Sequence, residues 1–479
     1  MTKLNKLTSE SISRQRFLKL ASIGASAAAT PSFLAACAPA ATPTAAPTAA
    51  AAAVPATAAA TAVPATAVPP TAIPVFDWRK HAGTKITALF TTNPQGRYME
   101  SLVPEFEAAT GITVDFQIIE TAAMRDKQNV EFAAQSPAID VWHTFLPQEG
   151  QKYARANWYE DMAPYLSNKS LLAPDYDLPD LEGALRLSRI NDQLVGLPMW
   201  IESQPLYYNQ ELLDKAGVAV PVTMEELEAA AAKIHSPSQE IYGWATRATS
   251  PLNTSAVLPA FLSYGANWLD SEGKASLNTP EAVAAIDWYA RMLRDYGPPS
   301  PDTVDIARWS DLFKAGKVAF AVDSPSFIGP LSDASSSAIV GKYGIATWPA
   351  GPAGSRSSLW TWSCTIGKFS QKKEAAWYYV QWHTMRDRVI GMAGTGVMPS
   401  RDSVANTRAV WKPLLPQLPQ FRVEALQNGI TDAFPQVTVV AEARQVLGDA
   451  IVKAIQGADV KATLDEANGL FQDLLDSQG

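Results

Sequence analysis

The stretch KITALFTTNPQGRYMESLVPEFEAATGITVDFQII, from Lys85 to Ile119, decides the fold. Its first part, 85–92, is rich in apolar and β-branched residues and predicts a strand. A helix is predicted over 98–109, and Gly111 follows it at the position where a left-handed cap ends many helices. The β-branched and aromatic run 112–119 predicts a second strand. Two strands joined by a helix indicate a parallel pair with a right-handed crossover.

Strands and helices alternate along the rest of the chain. Strands or extended segments are predicted at 140–142, 196–209 and 317–322, and helices at 151–157, 223–234, 279–297, 371–383, 442–456 and 463–475. This alternation predicts an α/β protein. The roughly 400 residues after Phe76 are enough for two domains, or for two lobes of one body.

The first 37 residues resemble the export signal of a bacterial lipoprotein. Arg14, Arg16 and Lys19 form a basic segment, and an apolar stretch too short for a permanent membrane span follows. The string LAAC ending at Cys37 resembles a lipobox, which predicts a signal peptide over 1–36 and a lipid on the Cys37 sulfur. An ordinary cleavable signal is the alternative, and export by the twin-arginine or the general secretory route stays open.

Residues 37–75 are a low-complexity tract of alanine, proline and threonine with repeated Val-Pro-Ala-Thr units. The tract carries no charge, and it cannot bury enough apolar surface to offset the entropy of ordering. Proline favours extended polyproline II, which rises ~3.1 Å per residue. The composition predicts a disordered tether that holds a folded body away from a membrane.

Composition excludes several classes of function. The formal net charge is −8 for the whole chain, and it is more negative once the basic leader is set aside, which argues against a nucleic-acid partner. Cys364 is the only other cysteine, so no disulfide is expected once Cys37 is lipidated. The four histidines lie far apart, and no metal or other cofactor is expected. We find no nucleophile elbow, zinc-protease motif or phosphate loop, so the chain is not expected to be an enzyme.

Several strings resemble one family in the family's order. They are YMESLVPEFEAATGITVDFQ, AIDVWHTFLPQEGQKYARANWYEDMAPYL, GLPMWIESQPLYYNQELLDKAGV, LFKAGKVAFAVDS and WTWSCTIGKFSQKKEAAWYYVQWHT. The chain resembles the extracellular solute-binding proteins of bacterial ABC importers, in particular the sugar-binding lipoproteins that include the maltose-binding proteins.

This resemblance implies an α/β fold of the two-lobed periplasmic-binding-protein type, close to type II, with three crossings between the lobes. The implied lobes are 76–200 with 361–405 and 205–358 with 406–479, and the crossings lie near 201–204, 359–362 and 405. It also implies the function: closure of the lobes on a small solute. The closed form would be recognised by the transmembrane subunits of a permease. The protein would be a monomer and would lie outside the cytoplasmic membrane.

The implied ligand site lies between the lobes, where strands end and the chain crosses. A sugar needs flat aromatic side chains for its C–H faces and polar groups for its hydroxyls, and the fourteen tryptophans of the chain suit this need. The candidate ligand-binding residues are Asn93, Gln95, Trp142, Trp200, Glu202, Asn253, Ser326, Trp360 and Trp362. No catalytic residue is predicted.

The chain departs from the maltose-binding pattern in three places. Ser324-Pro325-Ser326-Phe327 stands where a tryptophan is common, Asn253-Thr254-Ser255 stands for a loop that carries Glu and Tyr, and Val439-Val440 replaces an aromatic pair. Maltodextrin is therefore not the expected solute. A carbohydrate is the main prediction; a polyol, a glycerophosphodiester or a polyamine stays open, and a lipid-anchored hydrolase is the rival class.

Overall fold

The computed structural model describes residues 76–411 and 415–478. The predicted signal peptide, Cys37 and the tether lie outside the described residues. The strands are β1 Lys85–Thr91, β2 Thr113–Ile119, β3 Val141–Phe145, β4 Arg189–Ile190, β5 Gln193–Leu194, β6 Leu197–Glu202, β7 Leu206–Asn209, β8 Tyr242–Trp244, β9 Val318–Val322, β10 Tyr343–Ala346, β11 Trp360–Ile366 and β12 Met398–Pro399.

The helices pack on both sheets and connect their strands. They are α1 Pro94–Ser101, α2 Val103–Thr110, α3 Thr121–Ala133, α4 Gln151–Arg155, α5 Ala163–Ser167, α6 Glu182–Leu185, α7 Gln210–Ala216, α8 Met224–Ile234, α9 Asn253–Ser263, α10 Pro280–Tyr296, α11 Ile306–Lys314, α12 Ile328–Leu331, α13 Lys373–His383, α14 Arg386–Ala393, α15 Asp402–Ala405, α16 Arg408–Trp411, α17 Leu418–Asn428, α18 Val440–Ile455 and α19 Val460–Asp476.

Two sheets organise the described chain. The first has the order β12-β6-β11-β3-β1-β2; β1 runs parallel to β2, as the opening stretch predicts, and it also runs parallel to β3. The second has the order β10-β7-β9-β8. The chain leaves the first sheet after β6, enters the second at β7, and returns from β10 to β11. We call the part built on the first sheet lobe 1 and the part built on the second sheet lobe 2.

Local sequence explains where several helices begin. The Thr223 side chain accepts a hydrogen bond from the Glu226 N–H, and the Glu226 carboxylate reaches back, which completes the predicted capping box of α8. Thr279 caps α10, and Pro280 occupies its first turn, where a missing N–H costs nothing. Gly111 ends α2 with a φ of 72°, the left-handed conformation predicted for it.

Two predictions about helices are wrong. The single helix predicted over 98–109 is two helices, α1 and α2, which meet at Leu102; Pro104 in the first turn of α2 cannot continue the hydrogen-bond ladder of α1. The segment Asn253-Thr254-Ser255, interpreted as a loop, begins α9. An apolar helix such as α9 lacks a polar face, so its sequence gives little periodic signal.

The C-terminal helices belong with lobe 2. Helix α18 packs against α10 and α9, and α19 packs against α18. Within the described part of the chain, no helix is long and apolar enough to cross a membrane. Between 76 and 478, the gap at 412–414 aside, no three His, Cys, Asp or Glu side chains are grouped so that they could hold a metal ion.

Candidate ligand-binding cleft

Glu202 lies at the contact between lobe 1 and lobe 2. It ends β6, and the strand register sets it opposite Trp360 on β11. Its carboxylate accepts hydrogen bonds from Trp200 Nε1 at 3.1 Å, from Trp360 Nε1 at 3.2 Å and from Ser326 Oγ at 2.7 Å. Ser326 follows β9 of lobe 2, so this last bond joins the two lobes. Glu202 is buried, and its three partners are all neutral donors.

Aromatic rings line lobe 1 beside this carboxylate. Trp362 is the half-buried member of the group, and its ring stacks on Phe145 with centroids 4.8 Å apart and on Trp200 with centroids 5.9 Å apart. Trp360 stacks on Phe434, which comes from the C-terminal part of the chain, at 5.6 Å. Flat rings of this kind suit the C–H faces of a sugar or a polyol.

Arg444 of α18 lies beside Phe434, on the side of these aromatic rings away from Glu202. Its guanidinium is buried and lies 4.7 Å from the centroid of the Phe434 ring. It donates to Thr254 Oγ1 at 2.9 Å and Ser255 Oγ at 3.1 Å within lobe 2, and to Gln148 Oε1 at 3.0 Å in lobe 1. Burial, with smaller contributions from nearby arginines, lowers the pKa of Arg444 to about 9.

Gln148 reaches Arg444 because the backbone forms a single π-helical turn, Leu146–Gly150, directly after β3. Such turns are frequent at functional sites. The next side chain, Glu149, faces the other way: it accepts from the Phe145 N–H at 2.6 Å and from Arg125 Nε at 2.9 Å. The turn thus places the neutral amide of Gln148 at the contact between the lobes, which we call the gap. It keeps the carboxylate of Glu149 within lobe 1.

Arg247 and Asp323 form a buried ion pair at the ends of the lobe 2 strands. Arg247 Nε donates to Asp323 Oδ2 at 2.7 Å, and a second nitrogen donates to Oδ1. The Ser324 N–H also donates to Asp323, at 2.7 Å. Burial raises the pKa of Asp323, although Arg247 and the Ser324 N–H act to lower it. The pair lies just beyond the carboxyl ends of β8 and β9, the position at which open α/β sheets bind ligands.

The candidates from the sequence divide into two groups. Glu202, Ser326, Trp200, Trp360 and Trp362 lie together at the contact between the lobes. Trp200 and Trp360 are only 1% and 6% exposed, so Trp362 offers the most surface of the three tryptophans.

The other four candidates make their contacts within one lobe, away from the group around Glu202. Asn93 caps α1 by accepting from the Gly96 N–H at 2.6 Å, and Gln95 is buried and donates to Thr395 Oγ1 at 3.0 Å. Trp142 lies in the core of lobe 1, stacked on Tyr159 at 5.1 Å, because alternate residues of β3 face opposite sides of the sheet. Asn253 is fully buried and ties α9 to α18 through the carbonyl of Gly448 at 2.9 Å.

Sequence reasoning missed Gln148, Arg247, Asp323, Phe434 and Arg444. Asp323 directly follows a predicted buried strand, and a charge at that point was the one signal available. The others are polar or aromatic residues in helices or loops far apart in sequence. Only the fold brings them together.

His143 lies beneath the aromatic group and is fully buried. Its ring is 4.4 Å from Trp362, and among the described residues neither ring nitrogen has a hydrogen-bond partner. Burial lowers the pKa of His143 to about 3, below the value of about 6.5 expected when unfolded. The neutral ring therefore stabilises the fold fully above pH 6.5, and this contribution is lost as the pH falls toward 3.

We expect His143→Leu to reduce the acid sensitivity of the fold. Between pH 6 and pH 4 the free energy of unfolding of the wild type should fall more than that of the variant, by about 2–3 kcal/mol, because one site contributes about 1.4 kcal/mol per pH unit. Urea unfolding at four pH values measures the difference. Parallel pH profiles for the two proteins would contradict the burial of a neutral histidine.

Known proteins that resemble this chain show which family it belongs to. Residues 91–384 match the family described as bacterial extracellular solute-binding protein, which is more than half of the chain. The chain therefore belongs to this family of solute-binding proteins.

Two relatives with described ligands are 28% identical to the chain. One is the erythritol/L-threitol-binding protein of Mycolicibacterium smegmatis, aligned over 386 residues, 76% of this chain and 77% of the relative. The other is the mannitol-binding protein of Pseudomonas aeruginosa, aligned over 316 residues, 64% of this chain and 69% of the relative.

Solved structures show the same fold. An ABC transporter solute-binding protein of Agrobacterium radiobacter in complex with ribitol superposes with a TM-score of 0.75 at 24% identity, over 82% of this chain and 99% of that one. A maltose-bound protein of Thermotoga maritima gives a TM-score of 0.72 at 23% identity, over 82% and 100%. At these identities the likeness shows the fold alone, and it confirms the predicted two-lobed periplasmic-binding-protein architecture.

Proposed function

We propose that this chain is the solute-binding component of an ABC importer and that its solute is a small neutral polyol or sugar. The observation that carries the proposal is the pairing of a buried carboxylate, Glu202, with a buried guanidinium, Arg444, on either side of stacked aromatic rings. A hydroxyl group both donates and accepts, so one polyhydroxylated solute serves both groups. The half-exposed face of Trp362 supplies the apolar contact.

The charge balance of the gap favours a neutral solute. Two carboxylates, of Glu202 and Asp323, accompany two guanidinium groups, of Arg247 and Arg444, so the site carries no net charge. A glycerophosphodiester would bring a negative charge against Glu202, and a polyamine would bring positive charges against Arg444. Either would leave a buried charge without compensation, which costs several kcal/mol.

The contacts between the lobes favour a small solute. Ser326 reaches Glu202, and Arg444 reaches Gln148, so direct contacts between the lobes already occupy part of the site, which favours a small molecule over an extended oligosaccharide. The described ligands of relatives, erythritol or L-threitol and mannitol, are of this size and chemistry. Ribitol in the structural neighbour agrees with them.

The remaining parts of the proposal concern location and partners. We propose a lipid anchor on Cys37, the tether over 37–75, and lobes with the boundaries predicted from the sequence. A monomer would deliver its solute to the transmembrane subunits of a permease, and no step of bond breaking is assigned to the chain. Tethering keeps the loaded protein near the permease and raises its effective concentration there.

A calorimetric screen of the mature protein tests the proposed solute class. We expect erythritol, ribitol or mannitol to bind, and we expect ribonate and spermidine to bind at least tenfold more weakly, since each brings a net charge that the site does not balance. A bound solute also raises the melting temperature, because it stabilises the native state by RT ln(1 + [L]/Kd). Tight binding of ribonate or spermidine with no binding of a neutral polyol would overturn the proposal.

A further inference from the structure

Arg444 is a buried cation that forms no ion pair with any carboxylate of the described residues. Its hydrogen-bond acceptors are two hydroxyls, an amide oxygen and, at 3.5 Å, the carbonyl of Pro251. Within 76–411 and 415–478 no carboxylate forms an ion pair with it; Glu149 pairs with Arg125, and Asp323 pairs with Arg247. Among the described arginines, others that are fully buried do have such partners, for example Arg401 with Asp180.

This arrangement exists only when the lobes are together. Gln148 belongs to lobe 1 and Arg444 to lobe 2, and their side chains meet at 3.0 Å. Opening the gap would return the guanidinium to water, where a charge is most stable. Closing it on nothing would bury the charge beside two other guanidinium groups, those of Arg125 and Arg247, which both lower the pKa of Arg444.

We propose that Arg444 couples lobe closure to solute binding: it keeps the empty lobes apart, and solute oxygens that accept from its free N–H make closure favourable. The inference rests on the proposed function, since it names the regulation of the same site. A guanidinium has five N–H groups, and four are used by protein acceptors, so one remains for a solute. A ligand shifts a two-state equilibrium only through such differential contacts.

The π-helical turn after β3 supports this assignment. It exposes neutral Gln148 to Arg444 while Glu149, one residue further on, is held inside lobe 1 by Arg125 and by the Phe145 N–H. A carboxylate at position 148 would form an ion pair across the gap. The amide instead gives a weak contact that cannot hold the lobes closed alone.

The test supplies the missing counter-charge. We expect Gln148→Glu to raise the closed-to-open ratio of the solute-free protein at least tenfold, because a buried, hydrogen-bonded ion pair replaces an amide contact. Small-angle X-ray scattering of the empty variant should then give a smaller radius of gyration than that of the empty wild type. Stopped-flow tryptophan fluorescence should show slower solute association than in the wild type, by the factor by which the fraction of open molecules falls.

Two further variants keep the result interpretable. Gln148→Leu, which has nearly the same volume and no charge, should leave the empty protein open. Arg444→Met removes the cation and should also shift the empty protein toward the closed form, while it weakens binding of ribitol or mannitol.

The outcomes separate this inference from the proposed function. If Gln148→Glu and Arg444→Met scatter like the empty wild type, the coupling role is overturned even if a polyol binds. If no polyol binds the wild type, the proposed solute class fails, and scattering of the empty variants still decides the role of Arg444.

Discussion

Replacing Glu202 by glutamine is expected to weaken solute binding by about 30- to 300-fold, the equivalent of about 2–3.4 kcal/mol for hydrogen bonds that involve a buried charge. Two indole N–H groups and one hydroxyl point at this carboxylate. A carboxamide keeps the size of the side chain but presents an NH2 group to donors. At least one indole N–H then loses its acceptor inside a buried site.

The effect should reach the solute by two routes. Ser326 donates to Glu202 across the gap, so the closed arrangement of the lobes is weakened. The same carboxylate is the acceptor that we assign to the hydroxyl groups of a polyol. Both routes act on the loaded, closed state more than on the open state, so the loss should appear in affinity before it appears in stability.

Isothermal titration with the solute found in the screen measures this change, and thermal melting of the empty protein monitors the fold. Glu442→Gln is a matched control, since Glu442 is an exposed residue of α18 and should bind the solute like the wild type. An affinity within threefold of the wild type for Glu202→Gln would show that this carboxylate does not hold the solute.

Four of the candidates from the sequence lie together in the structure, and their order along the chain explains why. Trp200 and Glu202 end one strand, Trp360 and Trp362 begin another, and both segments were expected as crossings. Strand pairing then sets Trp360 opposite Glu202 and Trp362 opposite Trp200. Order along the chain and the resemblance were sufficient to group these four residues, and their contact with a solute stays a prediction.

The lobe 2 side of the site could not be predicted in the same way. Arg444 lies on α18, and the hydroxyls that hold it lie on α9, almost two hundred residues earlier. Its opposite partner is in a π-helical turn, a backbone form with no reliable sequence signature. The periodicity of α18 predicted a helix correctly, and Arg444 looked like any charge on such a helix.

Trp142 shows a second limit of prediction from sequence, because a small error in the end of a strand moves a side chain from a loop into the core. It follows Asp140-Val141 at a predicted strand end, which made it a candidate for the gap. The strand continues to Phe145, so Trp142 sits inside it, and the pleat sends its side chain into the core of lobe 1. An error of three residues in the end of a strand changed the interpretation of that tryptophan.

Asp323→Asn is expected to lower the free energy of unfolding of the empty protein by about 3–5 kcal/mol, because removing one partner of a buried pair leaves the other charge uncompensated. The Arg247 guanidinium donates to both oxygens of Asp323 and is itself largely buried. The neutral amide accepts at one oxygen only and directs an NH2 group at the guanidinium. Urea unfolding of the wild type and the variant at pH 7 measures the loss.

A double variant and a surface control complete this test. Asp311→Asn breaks a pair with Lys314 in which Asp311 is 74% exposed, and it should cost less than about 1 kcal/mol. Arg247→Met combined with Asp323→Leu should recover much of the stability lost in Asp323→Asn, since no charge then stays buried. Such a recovery would show that the unpaired charge, and not the packing, makes the single variant unstable. If the double variant instead matched the instability of the single one, the pair would be a structural requirement of lobe 2.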